Sequence, residues 1–302
     1  MIGPSWLWIP LTLFAAAAQT VRNTAQRRLT DELGALGATL VRFLYGMPLL
    51  TLWLVGILAL RDFDSPRLTW SFAGWVVLSA LSQTAGTALL LRAMAARSFA
   101  IGLVYSKSEV IQVALFSIVF LGERASLLTF AAIALATFGV VLLSPRAKPG
   151  TSRGWADPAA LFGLASGTAF AISIVSYRGA NLALGADSPF LAAAETLFWA
   201  QLLQTLLLGT WLSLRNPAVL RGAIRAWRLS LFAGGAGASA SLANVTALAL
   251  ESASHVRTLG LIEVVFTYAV SLRVFREAIS RRELAGIALV ILGVGTIVAT
   301  SG

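Results

Sequence analysis

The chain of 302 residues contains no cysteine and a single histidine, His255. The absence of cysteine excludes disulfides, thiolate metal sites and cysteine nucleophiles, and one histidine cannot form a multi-histidine metal site. Charged residues are also scarce. They make up 12% of the sequence, whereas soluble domains contain about 25%. We therefore expect no metal and no cofactor, and we do not expect a soluble domain.

Hydrophobic residues are abundant, at 58% of the sequence, and they occur in runs of about 20 separated by polar segments. This pattern is typical of a multi-pass membrane protein, whose partner is the lipid bilayer. The net charge of +10 raises the possibility of nucleic-acid binding, but the basic residues mostly lie in loops between apolar runs. There they favour a role in membrane topology, so no nucleic-acid partner is expected. We also expect no cleavable signal, because no basic region precedes the first apolar run.

The apolar runs predict ten spans, five on each side of a polar linker. The spans lie near 5–26, 35–60, 70–96, 99–121, 126–144, 158–181, 188–213, 228–250, 255–275 and 280–300. Five is an odd number, so the second half enters the membrane from the opposite side. The sequence thus predicts an all-α integral membrane protein of ten transmembrane helices, arranged as two inverted five-helix repeats. The repeats are 1–144 and 158–302, the linker is 145–157, and the binding site is expected near the bilayer midplane between the halves.

Two carboxylates in corresponding positions support this duplication. Glu109 and Glu263 each lie alone in the middle of an apolar run. Glu123 follows Glu109 by 14 positions, and Glu277 follows Glu263 by the same interval. A charge at bilayer depth costs several kcal/mol and usually faces a functional interior. The pair therefore indicates a transporter built by duplication.

Loop charge predicts the orientation of the chain. Thirteen cationic residues lie on the face opposite the termini: Arg27, Arg28, Arg97, Arg146, Lys148, Arg153, Arg215, Arg221, Arg225, Arg228, Arg276, Arg281 and Arg282. Four lie on the terminal face: Arg61, Arg67, Arg124 and Arg178. The positive-inside rule then places both termini outside the cytoplasm.

The chain resembles the drug/metabolite transporter (DMT) superfamily, in its ten-helix, EamA-like family. The resemblance rests on Ser108-Glu109, on 120–124 (Phe-Leu-Gly-Glu-Arg) and on the gap-free second copy around Glu263 and Glu277. It covers roughly residues 5–300. It implies a secondary transporter. As a direction of transport, it implies export more often than uptake. It also implies cytoplasmic termini, against the loop charge.

Two departures from the family pattern are visible in the sequence. Val110 and Val264 stand where many relatives have a proline just after the mid-span glutamate, so the sequence gives no signal for a kink there. In the second copy, Arg276 replaces the glycine of the motif.

Polar residues inside the spans are the candidates for substrate contact. In the first span they recur at i, i+3, i+4 and i+7, which is one helix face, and this face must line a cavity or bond to other helices. A similar face in the fourth span consists of Tyr105, Ser108, Glu109 and Gln112. The candidate substrate-binding residues are Gln19, Arg22, Asn23, Gln26, Arg42, Gln83, Tyr105, Lys107, Gln112, Trp199 and Asn244. The candidates for proton coupling or substrate binding are Glu109, Glu263 and Glu195.

Lys107 lies close to mid-span, so extending its side chain to the headgroups would be energetically unfavourable. Residues two apart on a helix point in different directions, so we do not expect Lys107 to pair with Glu109. A counter-charge from a neighbouring span, Glu195 or Glu263, is expected instead, in either a structural ion pair or a substrate site. The remaining cationic residues near span ends are expected to extend to the headgroups, namely Arg92, Arg257 and Arg273.

Small residues predict close helix packing in two places. Residues 234–241 (Gly-Gly-Ala-Gly-Ala-Ser-Ala-Ser) and the GxxxG pattern 163–167 let backbones approach closely. The alternative for 234–241 is a thin wall that slides or hinges during transport.

Together these features predict a secondary transporter of the cell inner membrane that moves a small polar metabolite. Mixed interior charge favours a zwitterion or anion such as an amino acid. A channel or a facilitative exchanger for organic anions is the alternative. A membrane-embedded enzyme is a weaker one, because the spans contain no paired aspartates, Ser-His dyad or HExxH, and the chain has no nucleotide-binding loop. We therefore expect no enzymatic activity. Both a monomer and a homodimer remain open.

Overall fold

A computed structural model describes residues 5–61, 68–96, 105–143, 158–186, 188–270 and 280–300. These residues form helices and contain no strand. After a short 3₁₀ turn at Ser5–Leu7, the α-helices are α1 Trp8–Leu44, α2 Met47–Arg61, α3 Trp70–Ala96, α4 Glu109–Leu121, α5 Leu127–Leu143, α6 Pro158–Leu184, α7 Pro189–Arg215, α8 Pro217–Arg225, α9 Trp227–Leu250, α10 Ala253–Gly260, α11 Ile262–Val270 and α12 Arg281–Thr300. The predicted linker 145–157 lies outside the described residues.

Helices occupy each of the ten predicted span regions. Within the described residues, six segments are long and apolar enough to cross a bilayer: Glu32–Ala59, Trp70–Leu90, Ala160–Leu184, Pro189–Arg215, Trp227–Leu250 and Arg281–Thr300. Two shorter helices, α4 and α5, are also apolar. An all-helical, multi-pass membrane protein is thus confirmed. Helix α8 lies in the loop predicted between the seventh and eighth spans, and the apolar runs did not predict it.

The second predicted span, 35–60, is not one continuous helix. Helix α1 continues from the first span through Gly34, which has a left-handed φ of +69° and interrupts the helical geometry. Helix α1 then ends at Leu44, and α2 begins at Met47. The second span is therefore built from the end of α1 and from α2.

The fourth and ninth spans are also interrupted, each just before its glutamate. A turn at 107–108 precedes α4, which begins at Glu109, and Leu261 separates α10 from α11. Both places contain a backbone hydrogen bond between residues three apart, as in a 3₁₀ helix. The Val110 amide donates to the carbonyl of Lys107 at 3.3 Å, and the Val264 amide donates to the carbonyl of Leu261 at 3.0 Å. Short 3₁₀ stretches within helices often mark hinges.

The chain forms two compact units, and each combines segments from both halves of the sequence. The first unit consists of Met1–Leu81 and Ser176–Glu251, and the second of Ser82–Val175 and Ser252–Gly302. Contacts between the two halves of the sequence therefore occur inside each unit.

In the first unit, α1 packs along α9 through small residues. A Cβ atom added at Gly234 would lie 2.6 Å from the Cβ of Tyr45, and one added at Gly237 would lie 3.1 Å from the Cδ of Arg22. The close packing predicted for 234–241 is thus confirmed. It brings the polar side chains of α1 against α9.

In the second unit, α5 packs closely along α12. A Cβ atom at Gly139 would lie 2.7 Å from the carbonyl oxygen of Gly286, and one at Gly293 would lie 2.7 Å from that of Ala132. Such close backbone approach is possible only for glycine. The pair forms the apolar support for the charged residues of α4 and α10.

Candidate functional site

The strongest polar contact of the second unit joins Glu109 to Arg257. The Nε of Arg257 donates a hydrogen bond to Oε1 of Glu109 at 2.9 Å, and its Nη2 donates to the same oxygen. The Glu109 side chain is 3% exposed. Because a buried carboxylate costs several kcal/mol unless it is paired, this contact neutralises the charge at the start of α4.

A second ion pair in the same unit joins Lys107 to Glu263. The Nζ of Lys107 lies 4.0 Å from Oε2 of Glu263, and both side chains are largely buried. The expectation that Lys107 meets a carboxylate of another span is confirmed. Each interrupted helix therefore supplies one carboxylate and one cation, and each carboxylate pairs with the cation of the other. We call Lys107, Glu109, Arg257 and Glu263 the four-charge cluster.

Helix α6 approaches the turn that carries the first two of these charges. A Cβ atom at Gly167 would lie 2.7 Å from Oγ of Ser108 and 2.9 Å from the carbonyl oxygen of Ser106. The Ser108 hydroxyl in turn accepts a hydrogen bond from Nε2 of Gln112 at 3.1 Å. The close helix packing predicted for 163–167 is thus confirmed at Gly167. The contact of α6 with Ser106 and Ser108 restricts the position of the turn.

Glu123, the second glutamate of the first repeat, stabilises the other interrupted helix. Its Oε2 accepts a hydrogen bond from the amide of Ala253, the first residue of α10, at 3.1 Å. A carboxylate at a helix N-terminus satisfies an unpaired amide and is favoured by the helix dipole. The motif after α4 therefore helps to position the helix that carries Arg257.

The first unit contains a different arrangement, in which cationic side chains are close together. The aliphatic part of Arg42 lies beside that of Arg22 at Gly237, whose added Cβ would be 3.1 Å from an atom of each. Nη2 of Arg42 donates to Oγ of Ser241 at 3.1 Å, and its buried Nε has no partner among the described residues. No described carboxylate lies within ion-pair distance of Arg42.

A neutral tyrosine and its hydrogen-bond partners lie near Arg42. Tyr177 is 5% exposed and close enough to Arg42 to interact with its charge, and it forms side-chain hydrogen bonds with Gln204 and Ser79. Gln204 is 1% exposed. We call Arg22, Arg42, Ser79, Tyr177, Gln204 and Ser241 the arginine cluster. Because its neutral members can donate and accept hydrogen bonds, the cluster can hold a polar anion.

A buried glutamine fixes the end of α1 next to this cluster. Nε2 of Gln201 donates to the carbonyl oxygen of Phe43 at 2.9 Å, where α1 ends and its last carbonyls lack helical partners. The interruption of the second span is therefore stabilised by α7. This bond sets the position of Arg42, one residue before Phe43.

Glu195 also lies in the first unit, but on another face of α7. Its Oε2 accepts a hydrogen bond from Nε1 of Trp199 at 3.0 Å. Gln204 follows Glu195 by nine residues, which at about 100° per residue places it on the opposite side of the helix. Glu195 and the arginine cluster are therefore separate features.

The predicted site residues divide between the two units. The first unit contains Gln19, Arg22, Arg42, Glu195, Trp199 and Asn244, together with Asn23 and Gln26, whose side chains lie outside the described part. The second contains Gln83, Tyr105, Lys107, Glu109, Gln112 and Glu263. Gln19, Gln83, Tyr105 and Asn244 are partly buried. Arg22 is 7% exposed, so this residue of the first-span stripe faces protein.

The prediction for Arg257 was wrong. Its guanidinium does not extend to the headgroups but binds Glu109 inside the second unit. Arg92 is exposed, as expected of a residue that reaches the surface, and Arg273 lies outside the described residues. Ser241, Tyr177 and Gln204 were not predicted either, because a neutral side chain in an apolar run gives little signal of its role.

Comparisons with known proteins agree with this architecture. Residues 6–144 match the EamA-like transporter family. This part of the chain is similar to that family. The recognition of that family is confirmed over these residues and is consistent with the DMT superfamily. The EamA-like family consists of membrane transporters of the DMT type, not of enzymes.

The fold of nearly the whole chain is also found in a solved structure. That structure, described as "Crystal structure of protein", aligns over 97% of this chain and 96% of its own length, with a TM-score of 0.73 and 16% sequence identity. A comparison with curated protein sequences gives no match. The similarity at this identity establishes the shared fold.

Proposed function

We propose that this protein is a secondary transporter of the cell inner membrane that moves a small organic anion by alternating access. The substrate class includes amino acids bound through their carboxylate. The observation that carries the proposal is Arg42, a half-buried arginine whose buried Nε has no hydrogen-bond partner and whose charge meets no described carboxylate. An uncompensated charge inside a membrane protein is costly and usually marks a substrate or ion pathway.

The geometry of Arg42 favours a planar anion. A guanidinium presents paired N–H donors that match the two oxygens of a carboxylate. Nε of Arg42 is buried and has no described partner, while Nη2 bonds only to the neutral hydroxyl of Ser241. A substrate carboxylate would satisfy the unpaired donor and neutralise the charge, and Tyr177 and Gln204 would bind its other polar groups.

The carboxylates of the chain are poorly placed to select a cation. Glu109 and Glu263 are each paired with a basic side chain. Glu195 lies on the opposite side of α7 from Gln204, so it does not join the arginine cluster. A purely cationic substrate is therefore disfavoured. Of the zwitterions and anions that the sequence allows, those recognised mainly through a carboxylate suit the arginine cluster best.

The four-charge cluster has a separate role in the proposal. Its pairs join the α4 region to α10 and α11. Both carboxylates lie at interruptions of helical hydrogen bonding, and such interruptions often act as hinges. We propose that breaking and reforming these pairs accompanies transport. Glu109 and Glu263 remain the candidates for proton coupling, and export remains the direction that the family resemblance implies.

Thermal unfolding of the purified protein tests the substrate class. Nine tryptophans allow unfolding to be followed by intrinsic fluorescence. We would compare mono- and dicarboxylates, amino acids and their uncharged amides at equal concentration. A ligand present at 100 times its Kd stabilises by about 2.7 kcal/mol, so binding raises the melting temperature. We expect stabilisation by carboxylates and not by amides.

The matched variants are R42Q and R92Q. Arg92 is exposed on α3, so R92Q controls for the loss of one positive charge. We expect R42Q to lose the carboxylate response and R92Q to retain it. A response that survives in R42Q contradicts the proposed site. Counterflow in proteoliposomes then separates a carrier, which shows it, from a channel, which does not.

A further inference from the structure

We propose that helix α8 and the residues beside it form a binding surface for anionic phospholipids. The surface consists of Trp211, Arg215, Arg221, Ile224, Arg225, Trp227 and Arg228. All seven side chains are exposed. The inference is independent of the transported substrate, because none of these residues belongs to the arginine cluster or to the four-charge cluster.

The position of α8 places it at a membrane surface. It connects α7 and α9, both of which are long and apolar enough to cross a bilayer. Helix α7 ends at Arg215 and α9 begins at Trp227, with only nine helical residues between Pro217 and Arg225. A short helix between the ends of two spans lies at the depth of the lipid headgroups.

One side of α8 is fixed to the protein. Ala223 belongs to a buried apolar cluster with Leu29 and Leu33 of α1, and Val219 packs against it. The hydroxyl of Tyr45 donates to the carbonyl oxygen of Ala223 at 3.1 Å. These contacts hold the helix on α1, so its remaining side chains present a preformed surface.

The outward side combines cations with apolar anchors. Arg221 and Arg225 are four residues apart and share a face, and Ile224 beside them is 65% exposed. The guanidinium of Arg215 lies 5.3 Å from the ring centroid of Trp211, and that of Arg228 lies 5.5 Å from that of Trp227. Tryptophan is favoured at the headgroup level, so these contacts hold two cations at that depth.

The segment of the chain that forms this surface is strongly basic. The sequence contains no aspartate or glutamate from 196 to 250. Among the described side chains, Glu32 lines an open pocket of about 460 Å³ with Arg225, Trp227 and Arg228. Four exposed arginines, beside exposed tryptophan and isoleucine, complement a phosphodiester headgroup and its acyl chains.

The test measures lipid preference with the full-length protein. Melting temperatures are compared after addition of phosphatidylglycerol or phosphatidylcholine to the detergent-purified protein, and bound phosphatidylglycerol is counted by native mass spectrometry. Wild type is expected to be stabilised by phosphatidylglycerol over phosphatidylcholine. The variant R221Q/R225Q/R228Q is expected to bind phosphatidylglycerol at least about tenfold more weakly, because each arginine near a charged surface contributes to binding.

Two further variants make the result decisive. R221K/R225K/R228K keeps the charge and is expected to retain most of the preference, while R124Q/R281Q removes exposed arginines from other sites and is expected to retain all of it. The proposal is overturned if wild type shows no preference, if the triple glutamine variant keeps it, or if R124Q/R281Q loses it equally. Stabilisation by inorganic phosphate to the same extent would also overturn it, in favour of a small-anion site.

Discussion

Glu109 accepts two hydrogen bonds from Arg257, a residue 148 positions further along the chain. The pair joins the interrupted helix of the first sequence half to that of the second, inside one compact unit. Lys107 and Glu263 make the reciprocal contact. The duplicated glutamates are thus linked to each other through the cations of the opposite repeat.

Removal of Arg257 leaves a buried carboxylate without its main partner. We expect R257Q to lower the free energy of unfolding by about 3–5 kcal/mol, seen as a clear fall in melting temperature. The double variant E109Q/R257Q should recover a large part of this loss, because no unpaired charge remains. Melting temperatures of the two single variants and the double variant form the cycle. Additive losses would show that the two side chains do not interact.

Gly167 is expected to be intolerant of even one methyl group. In G167A the new Cβ would lie 2.7 Å from Oγ of Ser108 and 2.9 Å from the carbonyl oxygen of Ser106, so the turn before Glu109 must shift. We expect a destabilisation of about 1–3 kcal/mol and a loss of transport. Gly74 of α3 is the matched control, because nothing lies within 4 Å of an added Cβ. G74A should be neutral or slightly stabilising, and equal effects at both positions would contradict the packing argument.

Lysine should replace Arg42 only in part. R42K keeps the positive charge but loses the paired donors of the guanidinium. We expect carboxylate affinity in R42K to fall by about tenfold, and R42Q to show no measurable binding. Titrations followed by tryptophan fluorescence would measure the affinities. If R42K binds as wild type does, the anion is recognised by charge alone and the bidentate geometry plays no part.

Orientation can be measured with reporter fusions at Gly302. Thirteen cationic loop residues against four predict that the termini lie outside the cytoplasm. We therefore expect a fusion of alkaline phosphatase at Gly302 to be active. A fusion of green fluorescent protein at the same residue should be dark, because this protein does not become fluorescent after export by the general secretory route. A fluorescent fusion would instead support the cytoplasmic termini implied by the family resemblance.

The sequence predicted which charges are buried better than it predicted helix continuity. Glu109 and Lys107 stand out because charge inside an apolar run is rare, and both are buried or nearly so. The interruptions before Glu109 and Glu263 gave no such signal, since valine follows each glutamate and no proline forces a break. Those turns depend on tertiary contacts, such as Gly167 against Ser108. These contacts involve residues distant in the sequence.

The position of Arg257 could not be predicted from the sequence either. Its place near a span end suggested contact with lipid headgroups, and only the fold brings it to a carboxylate 148 residues away. Gln201 and Gln204 are similar, because a lone glutamine in an apolar run does not indicate which carbonyl or hydroxyl it will meet. Residue type predicted the burial of Glu109 and Lys107, but the position of Arg257 and the partners of the glutamines depended on helix packing.

The pairing of the four-charge cluster has an electrical consequence. With all four groups ionised, Lys107 and Arg257 balance Glu109 and Glu263, so the cluster carries no net charge. A membrane potential of 100 mV does about 2.3 kcal/mol of work on each elementary charge that crosses it. Moved together, these four groups would carry no net charge through the field, so a membrane potential would do little work on the cluster itself.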